Sequence, residues 1–149
     1  MQELARINDV PAFYGHVIVR DLETADWPPP DQSGAKGNGQ AIVLVSEASD
    51  HQPEIILALN DDDADLETLR SQWGDPVAVG QPLDIHFGAI EVRDILGSSL
   101  TEIPIADGPY SVTVFRRGEA DLVQLAEEGL VDDTTVGVEK WLLLLSPST

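Results

Sequence analysis

The sequence contains no cysteine, and this absence excludes three kinds of chemistry. A disulfide framework, a thiolate metal site and a thiol nucleophile all require that side chain. Structural zinc sites are built mostly from cysteine ligands, so such a site is not expected here.

Long apolar runs are also missing. The longest one near the carboxyl end, Trp141 to Leu145, is far shorter than the roughly 20 residues of a membrane-spanning helix. The opening segment, MQELARINDV, lacks the basic stretch followed by an apolar stretch that is typical of a secretion signal. We therefore expect a cytoplasmic protein that does not contact a membrane.

Basic residues are scarce. Lysine and arginine together number 8, against 27 aspartates and glutamates, and the formal net charge is -19. Such a charge repels nucleic acid and anionic membranes. Three explanations stay open: a surface that favours solubility or suits a salty cytoplasm, steering toward a basic protein partner, and specific cation binding.

The apolar residues indicate a single domain of the mainly β class. With 149 residues, of which 42% are apolar, the chain can bury about two thirds of its unfolded surface around one core. Its apolar stretches are short, rich in aliphatic residues and separated by turn signals, which is typical of strands. The predicted strands are FYGHVIVRD, AIVLVS, PEIILALN, VAVGQPLDIHF, AIEVRDIL, LTEIPI, PYSVTVF and VEKWLLLLS.

Three features set the expected connections between these strands. Residues 27–40, WPPPDQSGAKGNGQ, are rich in proline and glycine and are predicted to form a loop. AIVLVS and PEIILALN are predicted to pair with each other, and Asp107-Gly108 is expected to join two strands as a hairpin. The unbroken run Trp141 to Leu145 predicts a strand that is buried on both faces.

Two segments follow a helical period instead of a strand period. Leu66, Leu69 and Trp73 form an apolar stripe that ends just before a glycine. The second segment, EADLVQLAEEG, places its apolar residues on one side and stops at Gly129. Together, these elements predict an antiparallel β-sandwich of about seven or eight strands with two short helices, spanning residues 1–149.

The stretch NDDDADLE, residues 60–67, raises the question of a metal site. Its alternate aspartates have the spacing of the first three ligands in a helix-loop-helix calcium site. Positions 6 and 12 of such a loop require glycine and glutamate, and here they are Leu66 and Gln72, so the motif fails. Asp63 or Asp65 is expected to cap the helix that follows. One cap needs one carboxylate, which leaves a surplus among Asp61, Asp62, Asp63 and Asp65.

A second acidic group follows the second predicted helix. Glu127 and Glu128 lie in its last turn, where the negative end of the helix dipole disfavours each by roughly 0.3 to 1 kcal/mol at low salt. Asp132 and Asp133 enlarge the same patch. Because the sequence shows no compensating cation, we interpret these four acids as either a solvated face or a functional one.

No other constellation indicates a particular reaction. Asp84 and His86 lie on one face of a predicted strand and could be two ligands of a small-molecule or cation site. Paired carboxylates for acid and base catalysis occur in too many combinations to discriminate. The sequence has neither a GxSxG nucleophile motif nor the GK[ST] ending of a phosphate loop. We therefore predict no catalytic residue, no cofactor and no metal.

The order of the predicted strands resembles that of the competence nuclease inhibitor family, small bacterial proteins that bind and restrain a DNA-degrading enzyme. The resemblance rests on FYGHVIVRD, the loop tryptophan at Trp27, AIVLVS, PEIILALN and PLDIHFGAIEVRDILGSSLTEIPIADGPYSVTV. The second helix with its acids resembles an insertion before EKWLLLLS. The resemblance implies a small β-sandwich with a protein-binding role, and it brings no inhibitory motif that could be assigned to single residues.

The prediction is thus a non-enzymatic acidic protein-binding module, an inhibitor or immunity-type protein against a basic nuclease. Its anionic surface would compete with nucleic acid for the cationic cleft of the partner. The alternative is a β-sandwich that binds a small ligand or a cation near Asp84 and His86, and an enzyme with paired carboxylates ranks third. The predicted partner-binding residues are Asp61, Asp62, Asp63, Asp65, Glu127, Glu128, Asp132 and Asp133.

Overall fold

The computed structural model describes residues 1–22, 34–60 and 66–148. Within these residues the chain forms a short 3-10 turn (Phe13–Gly15) and two helices, α1 (Leu66–Trp73) and α2 (Glu119–Glu127). No helix in this part of the chain is long and apolar enough to cross a membrane. The described strands are β1 (Gln2–Ile7), β2 (His16–Asp21), β3 (Gly34–Gly37), β4 (Ala41–Val45), β5 (Gln52–Leu59), β6 (Ala78–Ile85), β7 (Ala89–Asp94), β8 (Leu100–Pro104), β9 (Gly108–Arg117) and β10 (Val136–Pro147).

The strands form two five-stranded sheets that pack face to face as a sandwich. The first sheet has the order β1-β5-β10-β9-β6, and the second has the order β3-β4-β2-β7-β8. Neighbouring strands run antiparallel, apart from β5 and β10, which are parallel. The predicted mainly β sandwich with two short helices is therefore confirmed.

The main core lies between the two sheets, because every second side chain of each strand points inward. From the second sheet, β2 contributes Val17 and Val19 to this core. From the first sheet, β10 contributes Trp141, Leu143 and Leu145 to the same buried cluster. Burying a large aliphatic side chain in this way stabilises a fold by about 1.5 to 3 kcal/mol.

The opposite face of the first sheet is covered by α1. Leu69 and Trp73 of the helix are buried in one cluster with Leu142 and Leu144 of β10. β10 lies between β5 and β9 and beneath this helix, so the predicted burial on both faces is confirmed. Leu66, the first residue of the predicted stripe, is exposed.

The predicted count of seven or eight strands is too low, because ten strands lie within the described residues. β1 was missing from the count, since charged residues at Glu3 and Arg6 obscure its alternation. β3 lies inside the predicted loop 27–40, and its two glycines, Gly34 and Gly37, are poor strand formers. Both strands lie at sheet edges, where backbone hydrogen bonds to one neighbour are enough to hold a strand of weak propensity.

Two predicted pairings are wrong because the connections cross between the sheets. β4 belongs to the second sheet and β5 to the first, so AIVLVS and PEIILALN are not partners. Asp107-Gly108 likewise joins β8 of the second sheet to β9 of the first and does not close a hairpin. Turn residues permit a sharp reversal, but they do not determine whether the chain returns to the same sheet. The first predicted strand also begins later than expected, at His16.

The strand registers group the loops at two ends of the sandwich. At one end, which we name the acidic end, lie the connections 8–15, 46–51, 95–99 and 118–135. At the other, the histidine end, lie the connections 38–40, 86–88 and 105–107. At about 3.3 Å per residue, a strand as long as β10 separates the two ends by on the order of 35 Å.

Candidate protein-binding site

A glycine and a leucine fix α2 at the acidic end. Gly118 precedes the helix with a φ of 85°, in the left-handed region that glycine adopts without strain. A Cβ atom at this position would collide with the backbone carbonyl oxygen of Val138. Leu122 is 0% exposed and anchors one side of the helix, whereas Ala126 of the predicted apolar face is exposed. The helix therefore packs near its beginning and presents its carboxyl end to solvent.

Glu127 and Glu128 are exposed at that carboxyl end. The last turn of α2 contains no basic residue, so the negative end of its dipole is not neutralised there. Glu128 Oε1 accepts a hydrogen bond from Gln124 Nε2 at 3.5 Å, a contact that stays within the helix. Gly129 follows with a φ of 71° and turns the chain back, as the sequence predicts for a helix end.

Asp132 and Asp133 follow in a tight turn and are both exposed. Asp132 Oδ1 accepts hydrogen bonds from the Thr134 amide at 2.9 Å and from the Thr134 hydroxyl at 2.5 Å. These bonds lower the pKa of Asp132, so the carboxylate keeps its charge in mild acid. The Asp133 carbonyl accepts a hydrogen bond from Gln52 Nε2 at 3.2 Å, which ties the turn to β5. We name these four acids the α2 acidic group: Glu127, Glu128, Asp132 and Asp133.

Arg6 and Lys140 form ion pairs with acids outside this group. Arg6 contacts Glu3 at 2.6 Å and Glu54 at 3.3 Å, and Lys140 contacts Glu54 at 3.6 Å. Within the ranges that the structure describes, no ion pair includes a member of the α2 acidic group. The negative charge of the group is therefore left to water, salt or a binding partner.

The acidic end extends beyond α2, because the loops that precede β2 and β5 are hydrogen-bonded to each other. The Ala12 carbonyl accepts a bond from the Asp50 amide at 2.9 Å, and the Ala12 amide donates to the His51 carbonyl at 2.8 Å. Glu47 and Asp50 are exposed on the second of these loops. Lysine and arginine are absent from the sequence of the connections 8–15, 46–51 and 118–135.

A buried polar group supports these loops from inside. Ser46 Oγ and His51 Nε2 are hydrogen-bonded at 2.8 Å, and His51 is fully buried. Burial lowers the pKa of His51, which favours its neutral form. Glu139 of β10 is also fully buried, and burial raises the pKa of its carboxyl group. Because both ionisable side chains are enclosed, they order the loops and offer no surface to a partner.

The first predicted acidic segment lies outside the described residues; its members are Asp61, Asp62, Asp63 and Asp65. Asn60, which precedes them, lies at the histidine end. Its amide donates to the Leu145 carbonyl at 2.8 Å, and its Nδ2 donates to Ser146 Oγ at 3.2 Å, near the end of β10. The α2 acidic group lies beside the beginning of the same strand. Of the two predicted acidic segments, the described residues therefore include only the second, which is the α2 acidic group.

The residues of the alternative site, Asp84 and His86, lie at the histidine end. His86 donates to Asp21 twice, from Nδ1 to Oδ2 at 2.8 Å and from its backbone amide to Oδ1 at 3.1 Å. The side-chain bond raises the pKa of His86. Its ring remains 64% exposed beside an open depression of about 560 Å³ that Asp84 and Asp107 also line. Across residues 1–22, 34–60 and 66–148, no three potential metal ligands come together.

The comparisons with known proteins bear on the fold. No family model matches the chain, and no curated protein matches it significantly. The whole chain resembles ComJ in structure. The match is to the crystal structure of ComJ, an inhibitor of the DNA degrading activity of NucA, from Bacillus subtilis. It covers 99% of this chain and 98% of ComJ with a TM-score of 0.64, at 12% sequence identity. The fold that the sequence resemblance implied is therefore confirmed.

The sequence analysis missed two features of the acidic end. Tyr14 was placed inside a strand, but it lies in the 3-10 turn and is 71% exposed. Its only sequence signal is the glycine that follows it, which permits a turn without requiring one. Glu139 received no role, although it has the same parity as the core residues Trp141 and Leu143. The sequence did not indicate this, because the unbroken apolar run that follows Lys140 does not distinguish one face of the strand from the other.

Proposed function

We propose that this protein binds a basic nuclease in the cytoplasm and blocks the access of that enzyme to DNA. The acidic end makes the contact, and the α2 acidic group forms part of it. In the complex, these carboxylates take positions in the cationic cleft that DNA phosphates would otherwise occupy. The protein carries out no reaction of its own in this proposal.

The whole-chain structural resemblance to ComJ is the observation that supports this proposal most directly. ComJ is an inhibitor of the DNA degrading activity of NucA, so the same fold serves that role in another protein. The α2 acidic group gives independent support, because it is exposed and forms no ion pair with the described residues. Complementary charges attract a basic partner and raise the rate of association.

A cleavage assay tests the proposal. The probes are purified non-specific DNA nucleases with a pI above about 9, encoded in the same genome as this chain. Each nuclease is mixed with increasing amounts of this protein, and the cleavage rate of plasmid DNA is measured. We expect one of them to be inhibited at a molar ratio near one to one. If no nuclease of this set is bound or inhibited, the proposal is wrong.

A matched pair of charge variants tests the site within the proposal. Asp132→Asn/Asp133→Asn removes two charges from the acidic end, and association should slow about 3- to 10-fold at low salt. At about 0.5 M salt the slowing should be less than about 2-fold, because the charges are then screened. Asp84→Asn/Asp107→Asn makes the same charge change at the histidine end and should slow association less. Equal slowing by both pairs would assign the attraction to net charge instead of the acidic end.

The same assay measures the contribution of the remaining predicted residues. Adding Glu127→Gln and Glu128→Gln to the acidic-end pair should slow low-salt association further. Asp61→Asn, Asp62→Asn, Asp63→Asn and Asp65→Asn, combined in one chain, give the separate contribution of the first acidic segment. We expect both sets of substitutions to slow association at low salt. At high salt the association rate should change little.

A further inference from the structure

Tyr14 is an exposed aromatic residue that the fold holds in an unfavourable backbone conformation. Its φ of 55° and ψ of 22° lie in the left-handed region, and its surface is 71% exposed. For a residue with a side chain, this region costs roughly 1 to 2 kcal/mol. Exposing a large ring also forgoes the stabilisation that burial would supply. Neither feature improves folding, and backbone strain of this kind concentrates at functional sites.

The surrounding backbone imposes this conformation. The Gly15 amide donates to the Ala12 carbonyl at 2.9 Å, which closes the turn around Tyr14. The Gly15 carbonyl in turn accepts a hydrogen bond from the Ser46 amide at 2.7 Å. Gly15 is buried with a φ of 80°, and a Cβ there would lie 3.3 Å from the Ser46 carbonyl oxygen. The turn is thus fastened to the loop before β5, and the ring is presented from a rigid support.

Negative charge surrounds this support. Glu47 and Asp50 are exposed on the loop to which the turn is bonded, and Asp50 is itself left-handed with a φ of 63°. The same loop leads into Gln52, whose side chain donates to the Asp133 carbonyl at 3.2 Å. The loop 46–51 is therefore bonded at one end to the turn that holds Tyr14, and it leads directly into Gln52, which contacts the turn of the α2 acidic group. The acidic end thus combines one exposed aromatic side chain, carried on a hydrogen-bonded turn, with several exposed carboxylates.

We infer that Tyr14 is the central anchor of the partner surface, and that the partner is a basic protein with an apolar pocket bordered by lysine or arginine. This inference rests on the proposed function and adds to it the residue that determines how long the complex lasts. Rigid tyrosines surrounded by polar contacts are frequent hot spots of protein interfaces, because little side-chain entropy is lost when they are buried. A second copy of this chain is a poor occupant, since it would bring its own carboxylates against those of the acidic end.

The test compares Tyr14 with an exposed aromatic residue at the other end of the sandwich. Tyr14→Asn removes the ring and keeps a residue that tolerates the left-handed conformation, so the fold should be retained. Phe87→Ala removes a ring that is 56% exposed at the histidine end and is the matched control. Binding to the basic nucleases described above is followed by surface-immobilised kinetics, and thermal unfolding of each variant is recorded in parallel.

We expect Tyr14→Asn to raise the dissociation constant at least about 30-fold, the size that defines a hot spot. The loss should lie in the dissociation rate, whereas the charge variants change the association rate. Tyr14→Phe should keep most of the affinity, and Phe87→Ala should bind as the wild-type protein does. Sedimentation is used to compare the self-association of the wild-type protein and Tyr14→Asn. We expect no dimer in the wild-type protein that is lost in the variant.

Four results would overturn the inference. If Tyr14→Asn binds the nuclease as tightly as the wild-type protein, Tyr14 is not the anchor, and the proposed function still stands. If Phe87→Ala weakens binding and Tyr14→Asn does not, the partner surface lies at the histidine end. If Tyr14→Asn abolishes a dimer, the occupant is a second copy. Failure of the wild-type protein to bind any nuclease of the set contradicts the proposed function itself, and the inference fails with it.

Discussion

The indole nitrogen of Trp141 donates a hydrogen bond to Glu139 Oε1 at 2.8 Å, and both side chains are almost completely buried. A carboxyl group in this position loses its hydration, which disfavours the charged form. Burial raises the pKa of Glu139, and the indole donor and the nearby charge of Arg116 offset only part of that effect. The position therefore stabilises the folded state less at neutral pH than in mild acid.

Replacing Glu139 with glutamine should change how stability depends on pH. In the unfolded chain a glutamate ionises near pH 4.3, whereas in the folded protein Glu139 keeps its proton to a higher pH. The contribution of Glu139 to the stability of the wild-type protein therefore falls as pH rises from about 4 through the folded pKa. Glu139→Gln cannot ionise at this position. Its free energy of unfolding should therefore increase relative to that of the wild-type protein as pH rises from about 4 to about 7.

Urea unfolding at about pH 4, 5.5 and 7 measures this gain for Glu139→Gln. Glu102→Gln, which replaces an exposed glutamate on β8, is measured in parallel as the control for the loss of one carboxyl group. A difference for Glu139→Gln that stays constant over this range would show that Glu139 has the same pKa in both states.

The carboxyl end of α2 should become more stable when its charges are removed. Glu127→Gln/Glu128→Gln relieves two negative charges beside the negative end of the helix dipole, where no basic residue compensates. We expect a gain of roughly 0.3 to 1 kcal/mol for each substitution at low salt, measured by denaturant unfolding. Glu119→Gln removes a charge from the first turn, where it is favourable, and should have the opposite sign. The stabilised variant should also capture a nuclease more slowly, which separates the role of these acids in binding from their role in folding.

Gly118 should tolerate substitution much less well than Gly129, although both are left-handed. Gly118→Ala introduces the backbone strain and also a collision with the Val138 carbonyl oxygen. At Gly129 a Cβ would meet nothing within 4 Å, so Gly129→Ala introduces the strain alone. We expect Gly129→Ala to cost about 1 to 2 kcal/mol, and Gly118→Ala to cost clearly more because α2 must move away from β10. Equal unfolding free energies for the two variants would contradict the close approach at Gly118.

The parts of this fold that sequence could predict are those where one physical signal dominates. Trp141 to Leu145 has apolar residues on both faces, and only a central, covered strand buries such a run. Leu69 and Trp73 share a helical stripe, and a glycine ends it, so the presence of α1 and its end at Trp73 were predicted correctly. The exposure of the α2 acidic group followed from charge and from the helix end at Gly129.

The parts that sequence could not predict depend on relationships between distant segments. A hairpin and a crossing between sheets use the same turn residues. Asp107-Gly108 therefore indicated that the chain reverses, but not which sheet the next strand joins. Gly34 and Gly37 have no preference for a strand, and β3 exists because β4 offers backbone partners. The conformation of Tyr14 depends on a loop more than thirty residues away, through the bond between Ser46 and Gly15. No local pattern carries that information.

The pair of His86 and Asp21 should make stability fall as pH rises past neutrality. The hydrogen bond to Asp21 raises the pKa of His86 above the ordinary value near 6.5. A raised histidine pKa contributes stability that is complete below about pH 6.5 and is lost as pH rises through the folded value. The wild-type protein should therefore lose stability relative to His86→Gln as pH rises from about 6.5 through the folded pKa, because glutamine does not titrate. NMR titration of the His86 ring gives the folded pKa directly, and Asp21→Asn should lower it. A His86 pKa that Asp21→Asn leaves unchanged would show that the bond at 2.8 Å does not control the charge at the histidine end.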